Sequence, residues 1–459
     1  MAYQLAERID RLPMTRRHWF WLFMAALAWL LESYDIGLVG VVLVPFKSLW
    51  RMTPSETGLL VASATVGIVL GVVPAGYLAD RFGRKRVLVA SLLFYSLITA
   101  MTGLVSGWQA LVGMRFVAGL GLGAMFPLPY TLLAELSPRR MRGAVAGVLD
   151  AFLSVGYFAA PLMGAWAFAQ FGPAVGWRVL FAAAGLGIGY AVLLMLAMPE
   201  SPRWLEAHGR GGEADRVVRR LEVIAHAQDW PLAERAGEDA DQPRSPSRPV
   251  RAVWSKAYRR RTIMLWIAFP SVFFVFYAIM SYMPLVLHLE HLPGPWVLDL
   301  TALIMAASIP GKLVEAWLVE RIGRKPVIVG FTAIAAIAAA VFPWVHDAAW
   351  IVGVAMVMAF FGISVDPAMK IFTAEQYPTD IRATGVGMTE GIGRLLGGAL
   401  APYIMALMLA AAGIRGSFLF VAAVAACGAG SVAWLGRETR GQGLEERVVE
   451  AEAEPEPAA

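Results

Sequence analysis

Twelve long apolar runs, six on each side of a polar centre, constrain this chain more than any other feature of its sequence. A run of about 20 apolar residues is long enough to cross a membrane as a helix. The runs lie at residues 19–44, 57–79, 87–105, 108–135, 143–171, 177–198, 262–287, 296–319, 327–345, 349–377, 384–411 and 415–435. We therefore expect an all-α membrane protein built from two six-helix bundles.

The composition agrees with a membrane protein. Of the 459 residues, 58% are hydrophobic and 16% are charged, whereas soluble proteins carry about 25% charged residues. A water-soluble enzyme, a soluble binding module and a disordered chain are therefore disfavoured. The net charge of +5 does not indicate a nucleic-acid partner, because basic residues in membrane proteins collect in cytoplasmic loops.

Basic residues are distributed unevenly among the loops. They precede the first run and fill alternate links, at Arg8, Arg11, Arg16, Arg17, Arg81, Arg84, Lys85, Arg86, Arg139, Arg140, Arg142, Arg321, Arg324 and Lys325. The remaining links hold few, chiefly Lys47, Arg51 and Arg415. Because an excess of Lys and Arg marks the cytoplasmic side, we expect both termini and the polar centre to be cytoplasmic.

The pattern predicts four parts of the chain. These are an N-terminal bundle at residues 1–199, a cytoplasmic loop at 200–261, a C-terminal bundle at 262–436 and an acidic tail at 437–459. Within the loop we expect a short helix on the membrane surface at 213–227 and a flexible segment at 238–249. Cys427 is the single cysteine, so no intramolecular disulfide forms and the thiol is expected to be a packing residue.

An internal repeat relates the two halves. The segment Asp-Arg-Phe-Gly-Arg-Lys at 80–85 recurs 240 positions later as Glu-Arg-Ile-Gly-Arg-Lys at 320–325. The same offset joins further pairs, Glu135 with Glu375, Pro138 with Pro378, Arg142 with Arg382, Gly147 with Gly387 and Asp150 with Glu390. Chance rarely preserves one register over so many charged positions. We infer duplicated halves with the same membrane orientation, which commonly share a site near the membrane midplane.

The repeated charges predict a network at the cytoplasmic end of each half. Asp80 is expected to cap a helix end there, and the other charges are expected to tie neighbouring helices together. The members in the two halves are Asp80, Arg84, Glu135, Arg142, Glu320, Arg324, Glu375 and Arg382. We interpret the network as a gate that holds this side closed. The alternative is that these charges only set the topology.

Several segments resemble a known family. Residues 76–86 (GYLADRFGRKR), their second copy and residues 115–123 (RFVAGLGLG) resemble the signature of the major facilitator superfamily. Residues 199–205 (PESPRWL) and 437–441 (RETRG) resemble its sugar-porter branch and that branch's relatives, among them organic-ion transporters, bacterial niacin transporters and aromatic-acid proton symporters. The resemblance implies the major facilitator fold and a secondary transporter, with no cofactor and no enzymatic activity.

Charged residues inside the spans are costly unless paired or facing a cavity, so they form the shortlist of functional residues. Glu32 and Asp35 lie three residues apart, on one face of the first helix. Residues 32–35 (ESYD) resemble the acidic-aromatic-acidic motif of the aromatic-acid symporters, with Glu and Ser in place of the usual Asp and Gly. The resemblance implies proton coupling at Asp35, Glu32 and Arg115. The alternative is a buried pair that neighbouring groups satisfy.

Two basic residues lie inside spans of the second half. Lys312 has Glu315 one turn on, and Arg394 has Glu390 one turn before. Residues 309–314 (IPGKLV) and 391–394 (GIGR) are similar to segments of the organic anion transporters, whose basic residues there hold anions. We expect Arg394 to hold a carboxylate through two parallel hydrogen bonds, with Lys312 acting as a point charge. The alternative is closed ion pairs that leave nothing for a substrate.

Aromatic and acidic residues complete the expected substrate site. Asp366-Pro367 marks a broken tenth helix that could line a cavity. Tyr277 matches a cavity-lining aromatic of the organic anion branch, and two rings can stack a flat heteroaromatic ligand. The expected substrate-binding residues are Arg394, Lys312, Tyr277, Tyr157, Tyr34 and Asp366.

Bacterial niacin transporters give the nearest resemblance. We therefore expect proton-coupled uptake of a small aromatic carboxylate such as nicotinate, by alternating access, in a monomer within the lipid bilayer. Alternatives are another organic anion of the benzoate type, export of organic cations or drugs with Glu32, Asp35 and Asp366 as contacts, or a nutrient sensor. Sugar transport is disfavoured because the sequence contains no asparagine and the spans hold hardly any glutamine.

The link at residues 43–54 is short. Animal organic-ion transporters carry a large cysteine-bearing loop at this place, so the resemblance indicates the inner membrane of a bacterium. No nucleophile–base pair, metal-ligand cluster or phosphate-binding loop is visible in the sequence, which disfavours an enzyme.

Overall fold

The computed structural model describes residues 2–226, 249–378 and 381–440, and every regular element in these ranges is a helix. Most of the segment expected to be flexible, and the acidic tail from residue 441 onward, lie outside the described residues. The first ten helices are α1 (Ala2–Arg11), α2 (Arg16–Leu49), α3 (Pro54–Phe82), α4 (Arg84–Thr102), α5 (Trp108–Leu122), α6 (Leu128–Leu136), α7 (Arg142–Ala183), α8 (Leu186–Ala197), α9 (Pro202–Ala207) and α10 (Gly211–His226).

The remaining helices follow residues 227–248, which lie outside the described residues. They are α11 (Pro249–Val253), α12 (Lys256–Leu289), α13 (Val297–Ala306), α14 (Ser308–Ile322), α15 (Arg324–Val341), α16 (Ala348–Gly362), α17 (Asp366–Glu375), α18 (Arg382–Ile392) and α19 (Ala401–Leu435). A π-helix at Gly393–Leu400 joins α18 to α19.

Nine of the described helical segments are long and apolar enough to cross a membrane. Two of them, Arg139–Ala197 with 59 residues and Thr384–Leu435 with 52, far exceed the length of one crossing. Each is broken at a glycine with positive φ, Gly172 at 69° and Gly413 at 62°, a conformation that glycine adopts without a steric penalty. Each therefore counts as two spans. With the shorter apolar helix α5, the described residues form the twelve spans that the sequence predicts.

The chain divides into two compact units. The first unit comprises the described residues of Met1–Arg51 and Ser63–Asp239, and the second those of Met52–Ala62 and Ala240–Ala459.

Close helix crossings at small residues build the first unit. Helices α3 and α5 approach so closely that a Cβ on Gly119 would overlap the carbonyl oxygen of Ala64, and a Cβ on Gly67 would overlap that of Phe116. Helices α2 and α7 cross in the same way, at Gly156 against Ser33. Small residues allow such contacts between membrane helices.

A large apolar core lies in the second unit. It combines residues of α11, α12, α14, α15, α17, α18 and α19, including Val253, Phe269, Val319, Phe331, Phe372 and Val432. Helix α12 packs along α19 and against the π-helix. A Cβ on Gly393 would overlap the ring of Phe269, and one on Gly397 would overlap the carbonyl oxygen of Pro270. The glycines thus let the π-helix lie directly on α12.

The short helix expected in the polar centre is α10, but its surroundings differ from the expectation. Its apolar side does not remain open for a membrane surface, because Leu5 and Ile9 of α1 and Trp204 of α9 pack with Ala214 and Val218 in one buried cluster. Arg8 of α1 adds ion pairs of 2.7 Å to the carboxylates of Asp215 and Glu222 on α10. Helix α10 is therefore anchored to the rest of the first unit.

Candidate functional site

A buried ion pair lies at the centre of the first unit. Arg115 of α5 donates from Nη1 to both carboxylate oxygens of Asp35 on α2, at 2.9 Å each. Its Nη2 also donates to the backbone carbonyl of Asp35 at 3.3 Å. Both side chains are completely buried. Because two charges leave water here, the pair is stable only through this close mutual contact.

Glu32 lies one turn before Asp35 on α2 and is completely buried. The phenol of Tyr95 on α4, which is also buried, interacts electrostatically with Glu32 and with Asp35. Glu32, Asp35 and Arg115, the residues expected to couple transport to protons, thus all lie buried in the first unit, and Asp35 and Arg115 are paired. Tyr95 was missed, because nothing in the sequence distinguishes it from the many other aromatic residues.

The two first-unit tyrosines expected at the substrate site are both buried. The hydroxyl of Tyr34 donates to the backbone carbonyl of Leu180 on α7 at 3.4 Å. Tyr157 lies on α7. The Tyr34 hydroxyl therefore helps to join α2 to α7, in addition to any role toward a substrate.

Arg394 is the central cation of the second unit. Its Nη1 donates to Oε2 of Glu390, one helical turn before it, at 2.7 Å. Its guanidinium carbon lies 5.6 Å from the centre of the Phe273 ring on α12, and the Phe273 and Tyr277 rings stack with centroids 6.3 Å apart. Arg394 belongs to the π-helix, a distortion that often occurs at functional sites and that the sequence did not predict.

A second ion pair lies beside Arg394. Asp366, at the first turn of α17 after the break that follows α16, contacts Lys370 at 2.7 Å. Asp366 also interacts electrostatically with Lys312 and with Arg394. Lys312 and Glu315 are buried one turn apart on α14. We define the charge cluster of the second unit as Lys312, Glu315, Asp366, Lys370, Glu390 and Arg394.

The charge cluster and its aromatic neighbours contain four of the six expected substrate-binding residues, Arg394, Lys312, Asp366 and Tyr277. Of the two ion pairs in the alternative interpretation, Lys312 with Glu315 and Glu390 with Arg394, the second is formed at 2.7 Å. The pair of Asp366 with Lys370 was not foreseen. One nitrogen of the Arg394 guanidinium is therefore already engaged by an acidic side chain of the protein.

The repeated loop charges contact one another in both units. Arg84 lies 3.0 Å from Asp80 and 3.6 Å from Glu135, and Arg324 lies 3.2 Å from Glu320 and 3.4 Å from Glu375. The remaining predicted members have other contacts. Arg142 lies 3.7 Å from Asp10 of the α1 region, and Arg382 donates to the backbone carbonyl of Tyr377.

Asp80 does not cap a helix, contrary to the expectation, since its carboxylate lies toward Arg84. The acid at the start of α4 is Glu200, which accepts the backbone N–H of Lys85 at 3.0 Å. Glu438 does the same at the start of α15, where it accepts the N–H groups of Arg324 and Lys325 at 3.0 Å each. Negative charge at a helix N-terminus is favourable because it satisfies open N–H groups and the helix dipole.

The residues that follow the two capping acids also correspond. The hydroxyl of Ser201 donates to Glu135, and that of Thr439 donates to Glu375. Glu200, Ser201, Glu438 and Thr439 were not among the predicted site residues. The signal that could have found them is the recurrence of Glu-Ser at 200–201 as Glu-Thr at 438–439.

Burial alone would raise the pKa of Glu438, but four backbone N–H groups outweigh this effect. The donors belong to Arg440, Thr439, Arg324 and Lys325, and they leave the pKa of Glu438 below its ordinary value. The carboxylate is thus held in the charged form that caps α15.

Comparison with known proteins identifies the family. The model of the family described as "Sugar (and other) transporter" matches residues 21–450. The chain belongs to this family, within the major facilitator superfamily. The niacin transporter NiaP of Acinetobacter baylyi is 32% identical over 96% of this chain and 99% of that protein. The 4-hydroxybenzoate transporter PcaK of Pseudomonas aeruginosa is 29% identical over 87% of this chain and 88% of that protein.

Solved structures share the fold. The inward-open xylose transporter XylE of E. coli superposes with a TM-score of 0.76 at 19% identity, covering 94% of this chain and 99% of that one. The predicted major facilitator fold is therefore confirmed. Because the family and these relatives are transporters, the prediction of a multi-pass membrane transporter rather than an enzyme is also confirmed.

Proposed function

We propose that this transporter takes up small aromatic carboxylates, nicotinate among them, together with protons. The observation that carries the proposal is the position of Arg394 over the face of Phe273, beside the stacked ring of Tyr277. A cation next to aromatic rings offers one surface for a carboxylate and another for a flat ring. The similarity to a niacin transporter and to 4-hydroxybenzoate transporters supports the same ligand class.

Each part of such a ligand has a counterpart in the second unit. The guanidinium of Arg394 can hold a carboxylate through two parallel hydrogen bonds. Lys312 adds positive charge from α14 without a fixed fork of donors. The Tyr277 and Phe273 rings provide apolar faces, and offset stacking of an aromatic ligand on them adds about 0.5–1.5 kcal/mol. We propose Tyr157, Tyr34 and Asp366 as further substrate contacts.

We propose that Asp35, Glu32 and Arg115 couple transport to protons. A proton on Asp35 would neutralise one partner of the buried pair, so the attraction between α2 and α5 would depend on protonation. Glu32 and the phenol of Tyr95 lie in the same buried group and can pass a proton toward Asp35. Loss of that attraction would favour a different packing of the two helices.

The repeated networks around Arg84 and Arg324 are proposed as gates on the cytoplasmic side. The predicted bundles at residues 1–199 and 262–436 would then be the bodies that alternate in access, connected by the loop at 200–261. We propose the inner membrane of a bacterium as the location, with both termini in the cytoplasm and a monomer as the working form. Breaking these ion pairs would accompany each opening to the cytoplasm.

The experiment is uptake of radiolabelled nicotinate by purified protein in liposomes, with the exterior more acidic than the interior. We expect the wild type to concentrate nicotinate. The initial rate of uptake should be at least tenfold lower in Arg394→Ala, and Arg394→Lys should retain part of the wild-type rate. The matched control is Arg415→Ala, because Arg415 lies on Trp344, outside the charge cluster. Unchanged uptake by Arg394→Ala would remove Arg394 from the site, and no uptake of nicotinate, benzoate or 4-hydroxybenzoate by the wild type would overturn the proposed function.

A further inference from the structure

The two side chains of the ion pair between Arg394 and Glu390 differ in their exposure to solvent. The side chain of Arg394 is 9% exposed, whereas that of Glu390 is 29% exposed, and the two are joined by an ion pair of 2.7 Å. The accessible partner is thus the acid. A substrate carboxylate that approaches Arg394 meets Glu390 already bound to one nitrogen of the guanidinium.

The titratable groups around this pair come from every helix that packs against α18. Arg394 interacts with Glu390, Asp366 and Tyr277, and Asp366 interacts with Lys370 and Lys312. At the other end of α18, the ring of Tyr377 lies against Gly385. Helix α12 contributes Tyr258, whose ring centroid lies 6.4 Å from that of Tyr377, and Arg261, which interacts with Tyr377. Helix α11, which also packs against α18, carries Arg251.

The formal charges of the cluster balance. Lys312, Lys370 and Arg394 are matched by Glu315, Asp366 and Glu390. Addition of a substrate anion alone would leave one excess negative charge in a membrane-embedded site, which is unfavourable. Addition of an anion together with one proton leaves the balance unchanged. The cluster therefore favours binding of the two together.

We propose that Glu390 couples proton binding to anion binding, because its carboxylate and that of the substrate compete for Arg394. A proton that enters the site forms an O–H bond on the Glu390 carboxylate and removes its negative charge. The hydrogen bond from Arg394 then weakens, and the substrate carboxylate takes the place that Glu390 held. Glu390 is in this account a positioning residue, and the inference rests on the proposed function.

Asp366 is another acid of the cluster that contacts a cation, and it is less suited to this role. Its carboxylate interacts with three cations, Lys370, Lys312 and Arg394, and its side chain is less exposed than that of Glu390. Three positive charges thus act on the carboxylate of Asp366, and Glu390 is the more exposed of these two acids.

The test is calorimetry of nicotinate binding to the purified protein between pH 6 and 8, in buffers with different heats of ionisation. Carboxyl groups of ordinary pKa, about 4, stay ionised throughout this range, so protons taken up on binding come to the protein. We expect the wild type to take up about one proton per nicotinate at the upper end, with an affinity that falls by up to tenfold per pH unit. We expect Glu390→Gln to bind nicotinate without proton uptake, and its affinity for nicotinate should be the same at every pH.

The matched control is Glu290→Gln, which makes the same substitution at an acid of the second unit just after the end of α12, outside the charge cluster, and is expected to keep the proton uptake on binding. Proton uptake that persists in Glu390→Gln, or that disappears in Glu290→Gln as well, would overturn the proposal for Glu390 while leaving the proposed substrate intact. Absence of nicotinate binding to the wild type at every pH would instead overturn the proposed function and this inference with it.

If Glu390→Gln does not fold, infrared difference spectra of the wild type and of Glu390→Asp give the same decision. Nicotinate should produce the band of a protonated carboxyl group in the wild type, and this band should move in Glu390→Asp, which keeps an acid in a different position. No such band, or a band unchanged by the substitution, would contradict the proposal.

Discussion

The two carboxylate oxygens of Asp35 each accept a hydrogen bond of 2.9 Å from the same nitrogen of Arg115, although 80 positions separate the residues in the chain. Neither side chain is exposed. Helices α2 and α5 are therefore joined by a charged contact that has no access to water.

Removal of one partner of this pair should destabilise the protein severely. Arg115→Met leaves Asp35 as a buried charge without its guanidinium, and such changes cost about 3–5 kcal/mol. We expect a large fall in the melting temperature in detergent. The double variant Arg115→Met with Asp35→Asn should recover much of the loss, because no unmatched charge remains. A double variant at least as unstable as Arg115→Met would contradict this explanation.

The crossing of α3 and α5 predicts a strong effect of one added methyl group. Gly119→Ala should lower stability by about 1–3 kcal/mol, the range for overpacking, because the new Cβ would overlap the carbonyl oxygen of Ala64. Gly113→Ala in the same helix is the control, since nothing lies within 4 Å of a Cβ there. Thermal unfolding of both variants in one detergent measures the difference, and equal melting temperatures would contradict the tight crossing.

The cap formed by Glu438 predicts a pH-dependent contribution to stability. The pKa of Glu438 is lower in the folded protein than its ordinary value of 4.5, so its contribution is complete above that value and is lost as the pH falls through the folded pKa. The melting temperature of the wild type should exceed that of Glu438→Gln at pH 7, and the gap should shrink below about pH 4.5. A gap that stays constant down to pH 3 would show that the charge of Glu438 has no part in the cap.

The attachment of α1 to α10 predicts a local effect of Arg8. Arg8→Ala removes ion pairs to Asp215 and Glu222, which are partly exposed and therefore contribute only modestly to stability. Amide hydrogen exchange in α1 should accelerate several-fold. Arg219→Ala is the matched control, because Arg219 also contacts Asp215 but is 72% exposed. Equal exchange in the two variants would mean that the apolar cluster alone holds α1.

Much of the fold could be predicted from local patterns. The twelve spans follow from hydrophobic length, and the two halves follow from the repeat of residues 80–85 at 320–325, because each signal lies within one short segment. The break before α17 follows from Asp366-Pro367. The surroundings of α10 could not be predicted, since they depend on its contact with α1 near the start of the chain.

The candidate site residues could be named from the sequence, but their contacts could not. The free-energy cost of a charged side chain inside a membrane span singles out Asp35, Arg115 and Arg394, regardless of what they contact. The partner of Arg142, Asp10, lies more than a hundred residues away, and the capping role of Glu200 depends on how two distant segments meet. The π-helix that contains Arg394 depends on the packing of Gly393 and Gly397 on α12. The periodicity of the sequence does not predict this packing.

The central claim is that the protein recognises the carboxylate of an aromatic ligand through Arg394. The most direct measurement is the melting temperature of the purified wild type and of Arg394→Ala with nicotinate, nicotinamide, benzoate, glucose or tetraethylammonium. A ligand that binds the native state raises the melting temperature by an amount that grows with its concentration relative to its Kd. We expect stabilisation of the wild type by nicotinate and not by nicotinamide, and none by nicotinate in Arg394→Ala. Equal stabilisation by nicotinamide, or stabilisation by tetraethylammonium alone, would contradict it.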